Sequence, residues 1–91
     1  MYAVLVTAAI AHGRREDAVV MTESRAIPML NSQAGHVASY FTLGADGTSA
    51  LAISVFESKE QAEASAASAS PPPGAPLSVE NVEVREVIAA T

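Results

Sequence analysis

Apolar positions along the chain follow two different spacings, and their succession predicts six elements of secondary structure. Four apolar, β-branched runs bounded by Gly, Pro or Asp are typical of strands, and two longer polar-apolar segments are typical of helices. The strands are predicted over residues 2–10, 37–43, 48–56 and 77–90, and the helices over residues 14–31 and 59–68. The order β-α-β-β-α-β predicts an α+β, ferredoxin-like domain with one four-stranded antiparallel sheet.

Capping and turn residues mark where these elements begin and end. Ser58 and Gln61 have the spacing of a capping box, which predicts the start of the second helix. Pro28 lacks a backbone donor, so it is expected to kink or tighten the last turn of the first helix. Gly35 is expected to adopt a left-handed conformation beyond that helix, and the segment 44–47 carries the signal of a hairpin turn.

The apolar character of strands one and three has a consequence for assembly. Right-handed crossovers place both helices on the same face of the sheet, so the opposite face would meet water. Yet the first and third strands are apolar at nearly every position, and therefore on both faces. Soluble monomers rarely expose an apolar patch of that size. We therefore expect a twofold homodimer in which two sheets pack face to face.

Length, charge and composition limit the class of protein. The 91 residues make one domain, 1–91, and the absence of cysteine excludes disulfides and thiolate metal sites. A net charge of −5 with only five Lys and Arg argues against nucleic acid as a partner. No apolar run approaches the roughly 20 residues of a membrane span, and the first residues lack the basic start of a signal peptide. A cytoplasmic protein with no membrane partner is the expectation.

Four short motifs, in this order, resemble the antibiotic-biosynthesis-monooxygenase (ABM-like) branch of the dimeric α+β barrel superfamily. They are Pro28-Met29-Leu30, Ala34-Gly35-His36, Phe56-Glu57-Ser58 and Val82-Glu83-Val84-Arg85-Glu86-Val87. The resemblance implies a homodimer with an apolar pocket between sheet and helices. It also implies a cofactor-independent monooxygenase that acts on an aromatic or polyketide-like small molecule.

The same resemblance bears on cofactors. Haem-degrading relatives use an Asn on strand one, a Trp at the end of strand three and a His on helix two. In this chain strand one has no Asn, helix two has no His, and Phe56 stands in the place of the Trp. No haem is therefore expected, and no other cofactor. Neither histidine has another ligand at metal-binding spacing, so no metal is expected either.

The ligand-binding residues expected from the resemblance are Phe56, Val6, Tyr40 and Ser54. Phe56 and Tyr40 would form an aromatic wall for a flat ligand, and Val6 would line the same pocket. Ser54 is a small polar residue inside an apolar strand. It either points into the pocket or satisfies a local backbone group.

Three residues are candidates for catalysis, each beside a structural alternative. The Tyr40 phenol could hydrogen-bond to a substrate and steady an enolate-like intermediate, or be an aromatic core residue with its hydroxyl at the rim. His36 could act as a base, or pack in place of an aromatic side chain. Glu23 falls near the apolar stripe of the first helix and could serve as a pocket-facing base, or lie at the edge of that stripe in water.

Two other functions fit the same fold. One is a non-catalytic dimer that binds a small apolar molecule or serves a structural role. The other is a stress-response barrel or a ferredoxin-like regulatory subunit. An open apolar cavity with Tyr40, His36 or Glu23 pointing inward would favour the enzyme, whereas a pocket filled by side chains would favour the non-catalytic dimer.

Overall fold

One antiparallel sheet of four strands organises the domain. The computed structural model describes all residues, 1–91. The strands are β1 (Tyr2–Ile10), β2 (His36–Leu43), β3 (Ser49–Phe56) and β4 (Leu77–Glu86), in the spatial order β2-β3-β1-β4. Every neighbouring pair is antiparallel. The predicted α+β, ferredoxin-like arrangement is confirmed.

The first helical segment consists of three parts rather than one uniform helix. Helix α1 (Arg15–Met21) continues into a π-helical turn (Thr22–Ala26) and then helix α2 (Ile27–Asn31). The sequence predicts that Pro28 kinks or tightens the last turn. The turn with Pro28 is α-helical and not tightened, and the helix widens just before it, while a kink stays a prediction. Two hydroxyls favour this widening: Thr22 Oγ1 donates to the Ala18 carbonyl at 2.9 Å and Ser24 Oγ to the Val20 carbonyl at 2.7 Å.

Helix α3 (Lys59–Ala67) begins at the capping box that the sequence predicts. The Ser58 hydroxyl accepts from the Gln61 amide, and the Gln61 side chain accepts from the Ser58 amide, both at 3.2 Å. Ala62 on this helix is fully buried. Because alanine has a small side chain, α3 lies close to the sheet and helps to close the core.

The hairpin between β2 and β3 is also confirmed. The Gly44 amide donates to the Ser49 carbonyl at 2.8 Å, and the Thr48 amide donates to Asp46 Oδ1 at 2.9 Å. The Thr48 amide holds the pKa of Asp46 below its ordinary value, because that hydrogen bond favours the charged carboxylate. Gly47 has a φ of 74°, a conformation that glycine adopts without strain.

The last strand is shorter than predicted. It ends at Glu86 instead of Ala90. Glu86 lies opposite Tyr2, and the Val87 amide makes one more bond, at 2.9 Å, to the Met1 carbonyl. Beyond that bond β1 offers no residue for pairing, because β1 begins at Tyr2.

The two faces of the sheet have different surroundings. The small core lies on the helix side, where Val4, Leu30, Phe56 and Ala62 are buried together. The opposite face, here called the outer face, is covered by no element of the chain. It carries the residues that alternate with the core positions, including Leu5 opposite Ile53 and Thr7 opposite Leu51. Strands β1 and β3 are thus apolar on both faces. None of the helices has the length and apolarity to span a membrane.

Candidate ligand-binding site

A cavity of about 640 Å³ lies between the sheet and the helical segments. Its floor consists of the helix-side residues of β1, β2 and β3, and its roof of α1, the π-helical turn and α2. The far end is formed by α3 and the proline loop that follows it. Of the 30 residues around it, 19 are hydrophobic, so the wall is mostly apolar. The volume falls within the range of about 300–1,000 Å³ that small-molecule sites occupy.

Small side chains on both sides create this space. Ala8, Ala50 and Ala52 form part of the floor, and Ala18 and Ala26 face them from the first helical segment. Apolar residues make up 49% of the chain but aromatic residues only 4%. With so many alanines, the facing surfaces of the sheet and the helix are apolar, but their side chains are too small to fill the space between them. A cavity is the result.

Ser54 and Ser65 are the buried polar residues that border the cavity. Ser54 belongs to a row of three hydrogen-bonded side chains. His36 Nε2 lies 2.7 Å from Ser39 Oγ, and Ser39 Oγ lies 2.8 Å from Ser54 Oγ. Ser39 and Ser54 border the cavity, whereas His36 lies behind them. Ser54 is only 6% exposed. We call His36, Ser39 and Ser54 the serine–histidine row.

A β-bulge at the start of β2 assembles this row. His36 pairs with Phe56, but Ala38, not Val37, pairs with Val55, so the strand gains one residue at this point. The bulge reverses the alternation that follows it. Ser39 therefore shares the helix side with His36 and comes to lie opposite Ser54.

The bulge also decides where Tyr40 lies. Tyr40 pairs with Ile53, which is on the outer face, and its side chain is 65% exposed. It borders the cavity, between Ser39 and Phe41. The expected role of Tyr40 in ligand binding stays a prediction, at an exposed position of the edge strand β2.

Phe56 lies deeper than expected. Its side chain is 0% exposed and packs in the closed core, and it does not border the cavity. The expectation that Phe56 forms the ligand wall does not hold, since Val4, Leu30 and Ala62 surround it. Its ring instead meets the His36 imidazole edge to face, with centroids 5.6 Å apart and an interplanar angle of 64°. Phe56 thus orients His36 and does not reach the cavity.

The remaining candidate residues border the cavity in different ways. Val6 lies on the floor and is half-buried, and Ser54 lies on the floor as a buried residue. Glu23 is exposed at the mouth, beside Arg25, and these two are the charged residues that border the cavity. No group of three His, Asp or Glu side chains is arranged to hold a metal ion.

Ser39 is the site residue that the sequence interpretation missed. The available signal was a pair of serines inside two apolar strands, at positions 39 and 54. Residues on neighbouring strands meet only if their registers match, and the register here depends on the bulge. The sequence alone does not give that offset.

The cavity thus lies in a fold with one four-stranded antiparallel sheet and both helical segments on the same face. A solved structure with this fold is that of SnoaB, a cofactor-independent oxygenase from Streptomyces nogalater, determined for a point mutant. It matches with a TM-score of 0.70 over 98% of this chain and 95% of that chain, at 17% sequence identity. At this identity the likeness shows the shared fold. No family model matches the chain, and no curated protein matches it.

Proposed function

We propose that the protein binds an aromatic or polyketide-like small molecule in the cavity and acts on it as a cofactor-independent monooxygenase. The observation that carries the proposal is the cavity of about 640 Å³ itself, which is apolar over most of its wall and bordered by the part-buried serine–histidine row. Sites with this character hold flat apolar ligands and fix their orientation through a few polar groups. The fold shared with SnoaB, which is described as a cofactor-independent oxygenase, supports the reaction class.

The chemistry divides between ligand and protein. In a monooxygenation without a cofactor, one atom of dioxygen enters the substrate as a carbonyl oxygen, and the other leaves as water with two hydrogens from the oxidised CH₂ group. The substrate supplies all the electrons, so it must be electron-rich. The protein binds and orients it, and the apolar wall keeps bulk water away from the reacting carbon.

The three candidate catalytic residues contribute unequally to this proposal. His36 is retained, because its imidazole is hydrogen-bonded to a residue on the cavity floor. Glu23 is not retained as a base, since its side chain is exposed. It is retained only as a residue at the entrance of the cavity. Tyr40 is retained only as a residue at the rim, since it borders the cavity and its side chain is 65% exposed.

A non-catalytic binding protein is the second candidate function. It is favoured by the position of the charged residues that border the cavity, Glu23 and Arg25, both of which are exposed at the mouth. Neither places a carboxylate or a cation in the buried part of the cavity. Binding without turnover would separate this candidate from the first.

Filling the cavity tests both candidates. Ala52→Phe places a ring on the floor, and we expect at least tenfold weaker binding of the dihydroxyanthraquinone dye alizarin, measured by fluorescence titration, because the ring occupies the ligand's space. Ala64→Phe, at an exposed position of α3, is the matched control and should bind like wild type.

Oxygen uptake with anthrone, an aromatic ketone with an oxidisable CH₂ group, measures turnover in the same variants. Acceleration by wild type that is lost in Ala52→Phe supports the monooxygenase. If alizarin binds to wild type and anthrone oxidation is not accelerated, the non-catalytic candidate is correct. Equal dye binding by wild type and Ala52→Phe would contradict the cavity as the binding site.

We also propose that the protein is a homodimer that packs outer face against outer face. Leu5, Leu51 and Ile53 form an apolar stripe there that the chain itself leaves uncovered. A charged pair borders this stripe on β4, where Arg85 and Glu83 lie 2.6 Å apart. The Arg85 guanidinium holds the pKa of Glu83 below its ordinary value, so the pair stays charged at neutral pH. An apolar centre with a charged rim is typical of protein interfaces.

A charge in the centre of this stripe should separate the subunits. We expect light scattering to give twice the chain mass of 9.3 kDa for wild type and a monomer for Ile53→Glu, because a buried unpaired carboxylate costs several kcal/mol. Ala64→Glu, on the exposed side of α3, should remain dimeric. A wild-type protein that is monomeric at micromolar concentration would refute the proposed dimer.

A further inference from the structure

We infer that the serine–histidine row is a proton relay, which takes the proton from a phenolic or enolic hydroxyl of the ligand and stores it on His36. The inference rests on the proposed function, in that it requires an aromatic ligand in the cavity. It adds a ligand class, molecules with an acidic hydroxyl, and a pathway for the proton.

The geometry provides a continuous path from cavity to imidazole. Ser54 and Ser39 border the cavity, and His36 does not. The two oxygen atoms are 2.8 Å apart and Ser39 Oγ is 2.7 Å from His36 Nε2, both within ordinary hydrogen-bond distance. A ligand hydroxyl on Ser54 would therefore reach the imidazole through three hydrogen bonds, its own to Ser54 and the two within the row, without direct contact.

Counting donors and acceptors shows that the row can transmit a proton. Each serine hydroxyl has one donor and two acceptor positions, and a neutral imidazole accepts at one nitrogen. In the structure, Ser39 Oγ donates to Ser54 Oγ. For the transfer both serine hydroxyls rotate, so that the ligand hydroxyl donates to Ser54, Ser54 to Ser39 and Ser39 to His36 Nε2. When each proton moves one step along, the ligand becomes an oxyanion and His36 an imidazolium, while both serines remain neutral.

After the transfer every hydrogen bond points the other way. The imidazolium donates to Ser39, Ser39 to Ser54 and Ser54 to the ligand oxyanion. The oxyanion is thus held by a donor whose strength is increased by the two bonds behind it. It is also more electron-rich than the neutral hydroxyl compound, which is the property that reaction with dioxygen requires.

The surroundings of His36 fix its ring against the row. The side chain is half-buried. The edge-to-face contact with Phe56 fixes the ring plane, which keeps Nε2 directed at Ser39.

The colour of bound alizarin tests the relay independently of oxygen uptake, because the dye is yellow as the neutral phenol and red to violet as the anion. We expect the dye bound to wild type to change colour at a pH about one unit lower than the dye bound to His36→Gln or Ser39→Ala. This shift means that the bound dye is about tenfold more acidic in wild type. Gln keeps a hydrogen bond to Ser39 but cannot take up a proton, and Ala interrupts the row. Both variants should still bind the dye.

The chain contains a matched control for this experiment. His12 is the other histidine and lies exposed in the turn after β1, away from the cavity, so His12→Gln should leave the colour change where wild type has it. If His36→Gln and Ser39→Ala bind the dye and change colour at the wild-type pH, the relay is refuted and the binding function stands. If wild type does not bind the dye, the proposed function and the relay both fail. His36→Gln alters a half-buried side chain, so it tests the relay even if Ser39→Ala does not fold.

Discussion

Replacing Phe56 with alanine is expected to lower the free energy of unfolding by about 3–5 kcal/mol. The side chain is 0% exposed and is the largest fully buried one in the chain. Only 10 of the 91 residues are buried, so this ring supplies a large part of a small core. Domains are stable by about 5–15 kcal/mol, so the loss would leave little or no reserve.

The other phenylalanine of the chain is the matched control. Phe41 is 36% exposed and borders the cavity, so Phe41→Ala removes few close contacts and should cost clearly less than Phe56→Ala. Urea unfolding followed by far-UV circular dichroism gives both values. Equal losses in the two variants would show that Phe56 is not the centre of the core.

Gly35→Ala is expected to lower the free energy of unfolding by about 2–3 kcal/mol. Gly35 has a φ of 76°, where a side chain costs about 1 kcal/mol or more. An added Cβ would also overlap the side-chain amide of Gln61. That amide accepts from Ser58 in the capping box, and its displacement removes a cap worth about 1 kcal/mol.

Gly13→Ala separates the two contributions. Gly13 has a φ of 73° but nothing within 4 Å of an added Cβ, so its replacement should show the backbone cost alone. Gly35→Ala in a Gln61→Ala background should then cost no more than Gly13→Ala, because the overlap is gone. Chemical denaturation of the four variants measures these differences. Equal losses for Gly35→Ala and Gly13→Ala in the wild-type background would disprove the overlap.

The Gly35 prediction shows how far local sequence signals reach. The glycine and the capping box are recognisable separately, and both are present as predicted. Their proximity is a tertiary property. The Glu57 amide donates to the Gly35 carbonyl at 2.9 Å, and this bond joins the loop before β2 to the loop before α3. The cost of a side chain at position 35 therefore depends on a residue 26 positions further along the chain.

Tyr40 and Ser39 show where sequence patterns stop being sufficient. Alternation along a strand is local, and it assigns His36 and Tyr40 to the same face. The bulge between His36 and Ala38 shifts the pairing with β3 by one residue and exchanges the faces beyond it. Ser39 thereby comes to lie opposite Ser54 and Tyr40 opposite Ile53, which no count along β2 alone could have indicated.

The sequence by itself determined the order of the elements, the hairpin, the capping box and the apolarity of β1 and β3 on both faces, because each depends on residues close together in the chain. The tertiary structure decided which side chains meet: the offset of β2, the burial of Phe56 away from the ligand, and the widened turn before Pro28. It also decided that alanines close the core beneath α3 yet leave a cavity beneath the first helical segment. The physical reason is that space and register are set by the distance and pairing between elements, which local patterns do not encode.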